Sequence, residues 1–172
     1  FLVKRAVRRH LARGRVLPLP SAAGPPTPGE VLRLSSEAIA ELSTDPASAV
    51  VCDWREDPED VINIVNGFVP PYLHLSPIAA GDGLAITTRS GRMLISAAQL
   101  SVSSEQGGVL AVIGAINALF APSHELRLFR CSQVGDSFSF LLASSEAWAN
   151  AHAQSPRKLA HHFAPVSLAG VV

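Results

Sequence analysis

Residues 84–97 read LAITTRSGRMLISA, and this stretch decides the fold class. Leu84–Thr88 and Met93–Ala97 are short apolar, β-prone runs on either side of a polar stretch, and each reads as a strand. Arg89-Ser90-Gly91-Arg92 supplies a polar turn with a glycine between them, so the pair reads as a β-hairpin. The same logic predicts a second hairpin from Glu125–Cys131 and Ser137–Ala143, across a turn containing Gly135-Asp136.

Between the hairpins lies the longest apolar run, Val109 to Ala121, interrupted only by Asn117. Ser104 and Glu105 open it as a helix that ends at about Phe120, with Pro122 just beyond. Such a helix spans roughly 20 Å against the roughly 30 Å of a bilayer core, so it is a core helix and not a membrane span.

Upstream, Ser35-Ser36-Glu37 starts a short helix through Ala38, Ile39 and Leu42 that Asp45-Pro46 ends, and Ala49–Trp54 reads as a buried strand. Asp57-Pro58-Glu59-Asp60 is a helix start: an aspartate cap, proline at the first helical position, and acids at the positive end of the dipole. Val61, Ile62, Val65 and Phe68 follow at helical spacing, with Asn66-Gly67 as the stop. Tyr72–Ser76 reads as an edge strand bracketed by Pro70, Pro71 and Pro77. Ser144 caps a helix through Trp148 to about Gln154, and a last helix and an extended tail follow Pro156. There is no repeat at solenoid periods.

This order lacks the regular alternation of a parallel sheet. It predicts one α+β domain over residues 31–172, with an antiparallel or mixed sheet of about five to six strands packed against about two to four helices. With 48% hydrophobic and 16% charged residues in 172, the chain is long enough for one apolar core. Residues 1–30 are expected to be a basic helical leader and a Pro-rich linker. Val3, Val7 and Leu11 form one stripe among Arg5, Arg8, Arg9 and Arg13, and prolines crowd Pro18–Pro28.

Charge is sorted sharply along the chain. Residues 1–30 hold six of the fourteen cations and one acid, Glu30, so the rest is five units acidic. Asp45, Asp53, Glu56, Asp57, Glu59 and Asp60 face a single cation in their stretch, Arg55. Clusters of one sign steer partners.

Catalytic constellations are sparse. His124 is seven positions before Cys131 on one expected strand, roughly 23 Å away at 3.3 Å per residue, too far for a dyad. Cys52 and Cys131 both read as buried free thiols in strands. His152, His161 and His162 lack the spacing that puts two imidazoles on one helical face, so no metal is expected. Gly81-Asp82-Gly83 reads as a turn and not a phosphate loop, so no cofactor is expected either. The N-terminal apolar residues alternate with arginine and form no secretory h-region, which points to a cytoplasmic setting.

The leading expectation is therefore a non-enzymatic protein-binding domain with an acidic face, of the antitoxin or immunity type, that neutralises a basic partner. Asp53, Trp54, Glu56, Asp57, Glu59, Asp60 and Tyr72 are the expected partner-binding residues, with Trp54 and Tyr72 as aromatic anchors. One alternative is a hydrolase-like enzyme with Asp53 and His74 as acid–base pair. The other is an adaptor whose basic arm reaches a membrane or nucleic acid. Nucleic acid is not the expected partner of the folded part, which is acidic.

Overall fold

The computed structural model describes residues 25–100, 107–168 and 170–171. The hairpins, the edge strand and the core helix form an α+β fold in two antiparallel sheets. Strands β1 (Val50–Asp53), β5 (His124–Phe129), β6 (Ser137–Ser144) and β7 (Phe163–Ser167) make the larger sheet, in the order β1-β6-β5-β7. The two-residue β8 (Gly170–Val171) extends it. Strands β2 (Ser76–Ala80), β3 (Gly83–Thr87) and β4 (Arg92–Ile95) make the smaller sheet.

Seven helices lie among the described residues: α1 (Pro28–Val31), α2 (Ser36–Ser43), α3 (Pro58–Asn66), α4 (Ala97–Leu100), α5 (Gly107–Phe120), α6 (Ser145–Gln154) and α7 (Pro156–His162). Helix α5 explains why one expected sheet became two. Ala111, Val112, Ile113, Gly114, Ala115 and Ile116 are all buried, so the helix is apolar around its whole circumference and needs cover on every side. The sheets supply it: Leu126, Leu128, Phe138 and Phe140 from the larger and Leu84, Ile86 and Ile95 from the smaller share one core with α5. A Cβ on Gly114 would stand 2.4 Å from the Ser167 carbonyl oxygen, so only glycine lets α5 approach β7 this closely.

The other face of the larger sheet carries a second core. Val31, Leu32 and Ile39 from α1 and α2 pack there with Phe129, Leu141, Phe163 and Trp148. Trp148 meets Phe163 edge-on at 5.1 Å and donates its indole N–H to the Glu125 carbonyl at 2.9 Å. Lys158 donates to the main-chain carbonyls of Leu32 and of Leu34 (3.1 Å), which ties α7 to the C-terminal end of α1.

The architecture contains a two-fold relation. Apart from the one-turn α4 between β4 and α5, the units β1-α3-β2-β3 and β4-α5-β5-β6 follow the same order, and each lends its first strand to the other's hairpin: β1 pairs antiparallel with β6, and β4 with β3. Both units carry Asn-x4-Pro-x3-Leu, at Asn66–Pro71–Leu75 and at Asn117–Pro122–Leu126. In each the asparagine amide clasps the leucine's main chain: 2.9 and 2.8 Å for Asn66 with Leu75, and 2.9 and 2.8 Å for Asn117 with Leu126. Two copies with unlike loops give no periodicity at solenoid lengths.

Two local expectations are corrected. Tyr72 is in a 3-10 turn, Pro71–Leu73, because Pro71 sits at its first position and leaves Pro70 extended. The edge strand begins only at Ser76. Cys131 is in a 3-10 segment, Arg130–Val134, and is exposed, since β5 stops at Phe129. The expected stop holds: α3 ends at Asn66 with Gly67 as its C-cap, in the right-handed region (φ −67°). Ser104 and Glu105, and the leader up to residue 24, lie outside the described residues. No helix among the described residues is long and apolar enough to cross a membrane.

Candidate partner-binding site

The acidic stretch divides into two groups with different work. Asp53 ends β1 opposite Ser137, and its carboxylate accepts the Arg55 main-chain N–H at 2.9 Å. The Asp53 N–H is directed to the Glu56 carboxylate at 3.3 Å, and Glu56 N–H reaches the Asp53 carbonyl at 2.9 Å. These two acids therefore shape the turn from β1 into α3, which is why they stand outside the helix-start pattern.

Asp57, Glu59 and Asp60 form the second group. Asp57 occupies the N-cap position of α3 with extended backbone (φ −64°, ψ 143°), as the pattern with Pro58 predicts, yet its side chain makes no capping bond. All three acids are exposed and line a cleft of about 440 Å³ with Pro58, Ala79, Gly83, Leu84 and Leu100. The wall opposite the acids is the β2–β3 hairpin end, folded over Gly81 (φ 64°). Among the described residues, Arg127 and Glu125 form the ion pair (2.9 Å), and no cation is paired with Asp57, Glu59 or Asp60.

Arg55, the cation within the acidic stretch, is engaged elsewhere. The Arg55 guanidinium rests 4.1 Å over the Trp54 ring, a cation–π contact. Trp54 itself is half-buried and packs against the larger core, so little of the ring remains as a free anchor. Tyr72 is 57% exposed but follows the C-terminal end of α3, away from the acids at its start. The cleft thus unites Asp57, Glu59 and Asp60 and leaves out Asp53, Trp54, Glu56 and Tyr72. Ala79, Gly83, Leu84 and Leu100 were missed by sequence reasoning, because only the hairpin's fold brings them to α3.

The other chemistry is dispersed. His74 is exposed after the 3-10 turn, and no hydrogen bond among the described residues joins it to Asp53, whose carboxylate serves its own turn. Burial pushes the Cys52 thiol up to about 12, with Glu56 adding to the rise, which keeps it protonated and inert. Cys131 lies 3.4 Å from the Ser43 hydroxyl. No group of three or more potential metal ligands occurs among the described residues. Compared with known proteins, the chain gives no significant match to any family model, curated protein or solved structure.

Proposed function

We propose that this domain is a non-enzymatic protein-binding module whose acidic cleft at the start of α3 holds a basic segment of its partner, in the manner of an antitoxin or immunity protein. One observation carries the reading: Asp57, which the local sequence assigns to capping, makes no side-chain capping bond and joins Glu59 and Asp60 on the cleft wall as a carboxylate with no ion-pair partner among the described residues. Residues 25–172 hold eight cations against fourteen acids, so the long-range field of this part also favours a cation. The α3 dipole offsets only about half a charge of the cluster.

The test is neutralisation of the cleft. The triple variant Asp57→Asn, Glu59→Gln, Asp60→Asn removes three exposed charges, each worth up to about 1 kcal/mol against a partner cation. The expected result is a loss of affinity of about ten- to a hundredfold for the basic partner, with association slowed more steeply at low salt than at high. Unchanged affinity in a folded triple variant removes the basis of the proposal.

A further inference from the structure

The two-fold relation shows an asymmetry at the sheet edges. In the second unit β5 is flanked by β6 on one side and by β7 on the other, with Leu128 opposite Ala164. Asn117 marks that junction: its amide nitrogen donates to Leu126 and also, at 2.9 Å, to the Val166 carbonyl of β7. In the first unit the equivalent strand, β2, pairs with β3 alone among the described residues, and the amide nitrogen of Asn66 has Leu75 as its one acceptor.

The main-chain groups on this open side follow from the clasp. Leu75 turns its N–H and C=O away from β3 to Asn66, so by the alternation of strand backbone Pro77 and Ala79 face the same way. Pro77 belongs there, since a residue without an N–H is tolerated only on the unpaired side of an edge strand. The edge offers the Pro77 carbonyl, both main-chain groups of Ala79, and the spare N–H of Asn66 in place of the donor that proline lacks. Ala79 also lines the acidic cleft, and Ile78, on the opposite face, is 47% exposed beside Ala85 and Leu94.

We propose that the free edge of β2 takes an extended, lysine- or arginine-bearing segment of the partner as an added antiparallel strand, in the position that β7 holds on β5. This rests on the acidic cleft being the partner site and adds the mode of recognition. Main-chain bonds to Ala79, Pro77 and Asn66 hold the segment, while alternate side chains divide between the carboxylates on the cleft side and Ile78 and Leu94 on the other. Asn66 receives a partner carbonyl as Asn117 receives that of Val166.

The probe is a short peptide alternating lysine with valine, titrated against the full chain. Its control is the same peptide N-methylated at the residues that bond the edge, which keeps charge and loses donors. The expected result is that N-methylation weakens binding at least about tenfold, that Ala79→Pro does the same without altering the melting temperature, and that the Ala79 amide gains exchange protection only in the complex. Equal binding of both peptides, with loss in the triple cleft variant, overturns strand addition and leaves the acidic cleft standing. Binding indifferent to the triple variant overturns both. Should Ala79→Pro fail to fold, the peptide pair decides alone. Protection of the Ala79 amide in the free chain also overturns the proposal, because residues 1–24 or a second copy then occupy the edge.

Discussion

Replacing Asn117 with alanine tests the logic of the paired asparagines. The amide of Asn117 accepts from Leu126 N–H (2.8 Å) and donates to the carbonyls of Leu126 and Val166 (2.9 Å each). Leu126 is fully buried and Val166 is 5% exposed, so Asn117→Ala leaves three main-chain groups without partners in a place water reaches poorly. At the lower end of the cost of an orphaned polar group, about 1–1.5 kcal/mol each, the loss is about 3–4.5 kcal/mol. That is a large share of the roughly 5–15 kcal/mol that holds a domain together. Asn66→Ala orphans only the two groups of Leu75 and is expected to cost about 2–3 kcal/mol. Urea unfolding at constant slope gives both values, and in a chain of this size each kcal/mol lowers the melting temperature by about 2–4 °C. A cost for Asn117→Ala below about 1 kcal/mol, or below that of Asn66→Ala, refutes the account of these residues as stitches between helix and strand.

Two further outcomes follow from individual side chains. Burial, together with the charges of His161 and Lys158, holds the His162 imidazole below its ordinary 6.5, so the folded state binds fewer protons than the unfolded chain. Stability from this source is complete above that value and is lost as pH falls through it. His162→Gln is expected to flatten the urea midpoint between pH 7 and pH 5, and an unchanged slope contradicts the assignment. The thiols differ in exposure, and burial raises the pKa of Cys52: a maleimide is expected to label Cys131 in the native protein and Cys52 only after unfolding, and native labelling of Cys52 overturns its buried placement.

Much of the local structure was legible in the residues. The β-prone runs Leu84–Thr88 and Met93–Ala97 became β3 and β4, and Ser144 caps α6 through the Ala147 N–H at 3.1 Å. Pro58 opens α3, and the polarity of Asp57–Asp60 was evident. The site was legible only in part. A run of acids does not say which carboxylates shape a turn and which stand free, and the separation of Asp53 and Glu56 from Asp57, Glu59 and Asp60 depends on main-chain geometry. Trp54 could be weighed as anchor or as core, and its half-buried place under Arg55 was fixed by packing.

The sequence by itself determined the two hairpins, the start of α3 at Pro58, the Ser144 cap and that α5 lies in the core, because these follow from side-chain types and spacing within a few residues along the backbone. Tertiary structure alone decided that two sheets enclose α5, that β1 joins β6 while β4 joins β3, that Asn117 reaches Val166, and that β2, paired with β3 alone among the described residues, lies beside the acids. Those outcomes depend on contacts between residues far apart in the chain. Several partners satisfy a strand's local pattern equally well, and the choice among them is made by which pairing buries the apolar faces together.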